Sequence, residues 1–341
     1  MHLLCEFKYY YPTAQIDVAV NHGTEEMLTL NPKINHIWAY DRKKIQSKKF
    51  FNRIKLEFCF LKSIRQQRYD VVIDLDYGDR GAGIALFSGS KIKVGSSSIK
   101  SLLVRNTYTH KLPSRKGKHI VEVGLDAIRS LGKKPKNKKL EIHCSLDDEM
   151  FVSSLIPKDG FIHLHPFSRM SYKEIDAITI SKIIDFCEFD LGYKVVITSA
   201  PNNRELRKVD NLLNLCKSKP VDLSGELTLK QTAALNKRAK LFIGVDTAIM
   251  HVSSANNVPV FAFFGPSSVS TWGPWDNDLQ LSTYVAKGGV QKNGKHTVYS
   301  ENMDCIGCNQ HGCEDTYNSN CLNKLNLDFI KKNLEIIATK L

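Results

Sequence analysis

Small and polar residues follow four short apolar runs in the second half of the chain, at residues 165–168, 198–201, 246–247 and 265–268. The carboxyl ends of strands in an open parallel sheet form a ligand crevice, and helices that begin there present free backbone N–H groups to anions. The four turns together therefore predict a nucleotide diphosphate site. Each turn alone is also typical of an ordinary connection from a strand to a capped helix.

The third of these turns carries the richest chemistry. Asp246 fits the N-cap of a helix, Thr247 adds a hydroxyl, and His251 follows about one and a half helical turns later. A carboxylate, a hydroxyl and an imidazole near one helix N-terminus could hold sugar hydroxyls and phosphate together. The alternative for His251 is a packed histidine of the core, hydrogen-bonded to its neighbours.

The elements that position these turns alternate along the whole chain. Alternation of β-rich runs with amphipathic stretches favours parallel sheets with crossover helices. A lysine-rich and proline-containing seam at residues 133–160 predicts two domains, 1–155 and 156–326, followed by an amphipathic C-terminal helix at 327–341. The predicted strands are residues 16–20, 71–75, 161–165, 194–198, 241–245 and 258–264, and the clearest helices are 176–191, 204–216 and 229–238.

Charge distinguishes the two halves. The chain has 341 residues, with 48 Lys and Arg against 35 Asp and Glu, a net charge of +13. Residues 1–155 hold 27 basic and 16 acidic residues (net +11), and residues 156–341 hold 21 and 19 (net +2). The first half is therefore predicted to meet an acidic partner. The hydrophobic fraction of 42% excludes a disordered chain.

A basic amphipathic helix is predicted within residues 42–68, which contain ten basic residues and one acidic residue. Phe51, Ile54, Phe58 and Leu61 recur there at helical spacing. Such a helix either lies on an anionic membrane or packs on a sheet with a solvated basic face. Nucleic acid is not predicted as a partner, because the basic runs contain no interleaved aromatic platform. The same basic surface would include Arg105, Lys111, Arg115, Lys116 and Lys118.

Two sequence blocks carry a resemblance to a known family. Residues 242–251 and 258–267 closely resemble the signature of glycosyltransferase family 9, the ADP-heptose:lipopolysaccharide heptosyltransferases. The loop at 165–169 with Lys173 is similar to the His-Pro-x-Ser-Arg…Lys loop of that family, and residues 223–229 are similar to its Leu-x-Gly-x-Leu-Ser/Thr-Leu segment. Residues 69–75 and 78–82 resemble the heptosyltransferase III branch.

The resemblance implies an α/β fold of the GT-B type, with two Rossmann-like domains facing across a cleft. It implies transfer of a heptose from ADP-heptose to the lipopolysaccharide inner core, by direct displacement with inversion and without a cofactor or a catalytic metal. The family opens with a strand and a Gly-Asp loop that this sequence lacks, so the first domain is expected to miss its opening strand and the general base is unassigned. The alternatives are a transferase for another nucleotide sugar and a non-catalytic binding remnant.

The resemblance also implies roles for individual residues. Lys173 and Asp246 are the implied catalytic residues, and Asp79 and Arg80 are implied to bind a phosphorylated lipopolysaccharide core. Since no export signal or membrane span is evident, the expected location is the cytoplasm, peripheral to the anionic surface of the inner membrane. The implied donor-binding residues are Ser168, Arg169, Thr198, Ser199, Thr247, His251, Gly265 and Pro266.

Cysteines concentrate near the C-terminus in the pattern Cys305-x₂-Cys308-x₄-Cys313-x₇-Cys321, with His311 inside it. Four thiolates, or three with the histidine, would suit zinc, although the spacing is not that of a standard zinc finger. Reduced structural thiols and a local disulfide are the alternatives.

Overall fold

The computed structural model describes residues 2–96, 101, 104 and 106–341. Arg105 of the predicted basic surface lies outside the described residues. The chain divides into two compact units, Met1–Lys138 and Lys139–Leu341. This division falls within the lysine-rich seam and before the predicted boundary at residue 155, because residues 139–155 belong to the second unit.

Unit 1 is built from short parallel strands and crossover helices. Its strands form two separate parallel sheets, β1–β2 and β3–β4–β5. Small clusters of buried side chains, such as Ala82, Ala85 and Tyr108, hold it together. The elements are α1 (His2–Tyr10), β1 (Asp17–Asn21), β2 (His36–Tyr40), α2 (Arg42–Gln46), α3 (Phe50–Gln66), β3 (Val71–Ile73), α4 (Asp79–Phe87), β4 (Ile92–Ser96), β5 (His110–Leu112) and α5 (Ile120–Ser130).

Unit 2 contains one larger sheet. The elements are α6 (Leu146–Ser153), β6 (Phe161–His165), α7 (Ala177–Phe189), β7 (Lys194–Ile197), α8 (Asn203–Leu215), β8 (Val221–Asp222), α9 (Leu229–Lys237), β9 (Leu241–Val245), α10 (Ala248–Ala255), β10 (Val260–Phe263), α11 (Val269–Trp272), β11 (Gly289–Asn293), β12 (His296–Ser300), α12 (Asn320–Asn323) and α13 (Leu327–Ala338). The strand order is β11-β12-β10-β9-β6-β7-β8, and only β11 runs antiparallel.

Both faces of this sheet are covered by helices. Alternate residues of β6 divide between the faces: Ile162 and Leu164 pack with α7, α8 and α13, whereas Phe161 packs with α6, α9 and α10. Burial on both faces explains why β6 and β9 are near-continuous apolar runs in the sequence. The predicted strands and crossover helices of unit 2 are confirmed to within about two residues at each end, which is the usual uncertainty of helix boundaries.

Strands β6 and β9 approach unusually closely at their carboxyl ends. Gly244 pairs with His165, and a Cβ atom at Gly244 would lie 2.6 Å from the His165 carbonyl oxygen. Glycine is therefore required at this position by space rather than by backbone conformation. No helix in the described part of the chain has both the length and the apolar composition needed to cross a bilayer.

Candidate active site

The four predicted turns lie side by side in unit 2. They follow β10, β9, β6 and β7, which are consecutive parallel neighbours in the sheet. Because the carboxyl ends of parallel strands share one edge, the turns form one crevice at that edge. The predicted parallel sheet with crossover helices is confirmed.

An ion pair joins the loops that follow β6 and β9. Lys173 Nζ donates to Asp246 Oδ2 at 2.6 Å, and Asp246 retains about 7% of its exposure. Lys173 ends a short 3₁₀ turn after β6, and Asp246 directly follows β9. The two residues implied as catalytic therefore come together, with a cation placed where an anionic ligand would approach.

Helix α10 begins differently from the prediction. Its N-cap is Thr247 rather than Asp246, and no side chain caps the helix. The expected N-cap role of Asp246 is wrong because its carboxylate accepts from Lys173 instead. The Thr247 hydroxyl is buried without a hydrogen-bond partner among the described residues. A free helix N-terminus, an unpartnered hydroxyl and Lys173 thus converge on one position that suits a phosphate group.

The helices that follow β6 and β7 are each capped by a side chain at the N-terminus. Asp176 caps α7 by accepting from Thr179 N, and Asn202 caps α8 by accepting from Glu205 N. The Glu205 carboxylate also lies in the first turn of α8, where it accepts from Ala200 N. The expectation that the turns offer free helix N–H groups therefore holds best for α10, because in α7 and α8 a capping side chain already accepts from one N–H of the first turn.

Thr198 is enclosed by two histidines. Its hydroxyl lies 2.8 Å from His163 Nε2 and 2.9 Å from His165 Nδ1, and only about 1% of the residue is exposed. Burial lowers the pKa of His163 well below its usual value and lowers that of His165 to about 4. Both rings are therefore neutral near pH 7. The neighbouring Ser199 is buried as well, and its hydroxyl donates to Ala200 O at 3.3 Å.

A buried glutamate shapes the loop that leads to Lys173. The Glu174 carboxylate accepts from Ser168 N at 3.0 Å and from Arg204 at 3.1 Å, and it also pairs with Lys208. Ser168 Oγ accepts from Met170 N at 3.2 Å. Arg169, by contrast, is exposed.

The turn after β10 is covered by the cysteine-rich segment, residues 305–321. Gly307 N donates to Gly265 O at 3.3 Å, and Asn309 N donates to Pro266 O at 2.7 Å. A Cβ atom at Gly265 would lie 3.1 Å from Cys321 Sγ. Gly265 and Pro266 are both buried and contact this segment, and their predicted role toward the donor stays a prediction.

All four cysteines of this segment are free thiols. Cys305 and Cys308 are exposed, Cys321 is buried, and burial raises the pKa of its thiol to about 11. Across the described residues, no three His, Cys, Asp or Glu side chains are gathered in a way that could hold a metal ion. The segment also contacts the Lys173 loop, because His311 stacks on Tyr172 with ring centroids 5.4 Å apart.

His251 lies on α10, one turn beyond the free N-terminus. Its ring meets Trp272 edge to face, with centroids 6.3 Å apart. Burial is the largest influence on His251 and lowers its pKa, while Asp246 partly opposes this effect.

The implied acceptor residues lie in unit 1. Asp79 is the first residue of α4 and its Oδ1 accepts from Ser101 N at 3.3 Å. The Arg80 guanidinium lies over the Tyr40 ring, 4.7 Å from its centroid. Among the described residues, these contacts leave Asp79 Oδ2 and the guanidinium nitrogens of Arg80 without a hydrogen-bond partner.

The chain matches a known protein family over most of its length. The sequence profile of glycosyltransferase family 9 (heptosyltransferase) matches residues 58–300. The chain belongs to glycosyltransferase family 9. It is 28% identical to lipopolysaccharide heptosyltransferase 3 of Escherichia coli over 284 residues, which cover 81% of this chain and 82% of that protein. This family 9 member is therefore a glycosyltransferase, as the resemblance implied.

Solved structures support the same fold for this family 9 chain. A glycosyltransferase of family 9 from Veillonella parvula superposes with a TM-score of 0.77 at 20% identity, over 100% of this chain and 92% of the other. The ADP-heptose lipopolysaccharide heptosyltransferase II of E. coli gives 0.73 at 16% identity, over 99% and 94%. The GT-B fold class is thereby confirmed.

Sequence reasoning missed the polar groups that hold this glycosyltransferase site together. Glu174, Glu205 and His163 are all buried, and the sequence assigns a role to none of them, although Glu205 belongs to a segment that resembles the second nucleotide-side turn of the family. A signal was present, because His163 interrupts an otherwise apolar strand, and buried polar groups in such positions are hydrogen-bonded. Its partner Asn236 lies in α9, far away in the sequence, and no local pattern links the two.

Proposed function

We propose that this protein transfers a heptose from ADP-heptose to the phosphorylated inner core of lipopolysaccharide. The names of its relatives, lipopolysaccharide heptosyltransferase 3 and ADP-heptose lipopolysaccharide heptosyltransferase II, support this choice of donor and acceptor. The observation that carries the proposal is the Lys173–Asp246 ion pair beside the uncapped N-terminus of α10. This combination binds a diphosphate and stabilises it as a leaving group.

The donor lies on unit 2 in this proposal. Its diphosphate meets the free N–H groups of α10, the Thr247 hydroxyl and the Lys173 ammonium. Asp246 orients the Lys173 ammonium before the donor binds. When the donor binds, the ammonium shares its interaction between the carboxylate and the diphosphate, and the carboxylate can accept hydrogen bonds from sugar hydroxyls. His251 stays neutral near pH 7 because burial lowers its pKa, and it packs α10 against Trp272.

The reaction is a direct displacement with inversion. An acceptor hydroxyl oxygen attacks the anomeric carbon while the bond from that carbon to the β-phosphate oxygen breaks. ADP departs with the bonding electron pair, and the hydroxyl proton passes to a base. Negative charge grows on the β-phosphate, where Lys173 and the α10 N-terminus lower the energy of the transition state.

Unit 1 supplies the acceptor side and the membrane contact. Asp79 and Arg80 are the proposed acceptor contacts, within a half of the chain whose net charge is +11. Helix α3 exposes Phe51, Ile54 and Phe58 on one side, with exposed fractions of 83%, 51% and 63%. Basic side chains such as those of Arg53, Lys55, Lys62 and Arg65 accompany this stripe. A helix of this kind binds an anionic membrane peripherally, which favours the cytoplasmic face of the inner membrane.

Release of ADP tests the donor and the reaction together. Purified protein is incubated with ADP-heptose, ADP-mannose or a UDP-sugar, and with lipopolysaccharide whose inner core lacks one heptose. We expect ADP release and a mass increase of one heptose only with ADP-heptose and acceptor. Turnover with another nucleotide sugar instead would replace the donor, and nucleotide binding without any turnover would identify a non-catalytic binding protein.

A further inference from the structure

A continuous chain of hydrogen bonds crosses the interior of unit 2 and ends at the crevice. It starts at the Ala233 carbonyl oxygen, which can only accept. Asn256 Nδ2 donates to this oxygen at 2.8 Å. Asn256 Nδ2 also lies 3.0 Å from Asn236 Oδ1, so this oxygen accepts. The other side of the Asn236 amide, Nδ2, must therefore donate, and it contacts His163 Nδ1 at 3.0 Å. This assignment fixes the orientation of both amides.

The direction of the chain then passes through the histidines. His163 is neutral and its Nδ1 accepts, so its proton lies on Nε2 and donates to Thr198 Oγ1 at 2.8 Å. The Thr198 hydroxyl directs its own proton to His165 Nδ1, 2.9 Å away, because no other acceptor for it exists among the described residues. His165 Nδ1 therefore accepts, and the proton of this neutral ring lies on Nε2.

The chain ends at an unused donor. His165 is the last residue of β6, directly before the loop that carries Ser168 and Lys173. About 8% of His165 remains exposed, and in the described part of the chain nothing accepts from its Nε2. The described part of the chain offers no acceptor to this N–H, so a ligand atom that accepts here meets a donor whose orientation the neighbouring side chains already fix.

We propose that His165 is a donor-binding residue whose Nε2–H donates to a diphosphate oxygen of the nucleotide, and that Asn236, His163 and Thr198 position it by fixing its tautomer. This inference rests on the proposed function and adds a residue to its donor site. It also gives Thr198 a positioning role, because the Thr198 hydroxyl is already occupied by the two histidines.

Two substitutions distinguish the contributions of the two ring nitrogens of His165 to ADP binding. The amide nitrogen of His165→Gln reaches the place of Nε2, whereas that of His165→Asn reaches only the place of Nδ1. By isothermal titration calorimetry, we expect His165→Asn to weaken ADP binding by about 10- to 100-fold, the range for a hydrogen bond to a charged group. His165→Gln should restore most of that affinity. Adenosine, which lacks phosphate, should bind wild type and both variants alike.

The outcomes distinguish this inference from the proposed function. Wild type that binds no ADP overturns the donor proposal and the inference together. Wild type that binds ADP while His165→Asn binds it equally well overturns the inference alone. Equal losses of ADP affinity in the Gln and Asn variants would also overturn it, because they would indicate a structural role for the ring.

The tautomer supplies a readout that does not depend on turnover. Nitrogen-15 spectra of histidine-labelled protein, assigned with His163→Gln and His165→Gln, should show both rings as the neutral Nε2–H form from pH 6 to 8. Addition of ADP should move the His165 Nε2 resonance more than that of His163. An Nδ1–H form at His165 would contradict the proposed direction of the chain.

Discussion

Lys173 and Asp246 form a contact between two loops that follow neighbouring strands, with Lys173 Nζ 2.6 Å from Asp246 Oδ2. The two residues are 73 positions apart along the chain. Asp246 is buried and Lys173 is partly exposed, so the pair presents its cationic side to solvent. The carboxylate orients the ammonium before a ligand arrives, which reduces the conformational entropy lost when an anion binds.

Removal of the Lys173 ammonium is expected to slow the reaction. Lys173→Ala should lower kcat/KM by about 100-fold or more, since a fixed cation at a developing phosphate charge contributes several kcal/mol. Steady-state kinetics with ADP-heptose measures the change. The matched control is Lys194→Ala, because Lys194 also pairs with a buried carboxylate, Glu188 at 3.5 Å, but lies at the amino end of β7. Rates near wild type for Lys173→Ala would remove Lys173 from the mechanism.

Asp246→Asn tests the other half of the pair. The amide keeps the size of the side chain but removes the negative charge next to Lys173. We expect ADP affinity to stay within about threefold of wild type, because the loss of the neutralising charge strengthens the attraction to the phosphates while the loss of orientation weakens it. kcat should fall by about 10-fold or more, because the misplaced ammonium no longer meets the leaving group. A parallel loss of ADP affinity and kcat would instead indicate that Asp246 serves only to hold the fold.

The second half of the chain was the more predictable from sequence. Strands such as β6 and β9 are buried on both faces, so their composition alone marks them, and four of them end in recognisable turns. Unit 1 offers weaker signals, because its strands are short and mostly only partly buried, and β2, β4 and β5 are not predicted. Their pairing depends on contacts between distant segments. In unit 2 the short strand β8 and the pair β11–β12 are not predicted either.

The site was predictable in its residue types but not in its connections. Lys173, Asp246 and Thr247 were identified, yet the ion pair and the free N-terminus of α10 depend on which residue becomes the N-cap. Asp246 decides where α10 begins: it pairs with Lys173 from another loop, and Thr247 is the N-cap residue. Similarly, Thr198 has a suitable hydroxyl, but two histidines from β6 occupy it.

Acid is expected to destabilise the protein through its buried histidines. Burial lowers the pKa of His165 and of His296 from about 6.5 to about 4. Between these values the unfolded chain binds more protons, so stability is complete above pH 6.5 and falls as the pH drops toward 4. Each histidine contributes about 3 kcal/mol to this loss.

Urea unfolding at pH 7, 5.5 and 4.5 measures the acid effect. His165→Gln should lose less stability than wild type over this range, because one of the protonation sites is gone. His36→Gln is the control, since His36 is exposed. Equal pH dependence in wild type and His165→Gln would show that His165 does not contribute.

Gly244→Ala is expected to destabilise unit 2. The new methyl group would lie 2.6 Å from the His165 carbonyl oxygen and 2.7 Å from the Phe242 ring, so β6 and β9 would have to separate. Overpacking of this kind costs about 1–3 kcal/mol in urea unfolding. The control is Gly83→Ala in α4, where nothing lies within 4 Å and alanine should stabilise by about 0.5–1 kcal/mol. A neutral effect of Gly244→Ala would contradict the close approach of the two strands.

The exposed stripe on α3 is expected to control membrane binding. Replacement of Phe51, Ile54 and Phe58 by Ser should weaken binding to vesicles of about 30% anionic lipid by at least 10-fold, since full burial of each such side chain contributes about 1.5–3 kcal/mol. Vesicle sedimentation measures the affinity, and high salt should weaken the wild type as well, because basic residues contribute. The control is Phe189→Ser, since Phe189 on α7 has the same exposed fraction as Phe58, 63%. Unchanged vesicle binding by the triple variant would leave α3 a solvated crossover helix and would transfer the membrane contact to other basic surfaces of unit 1.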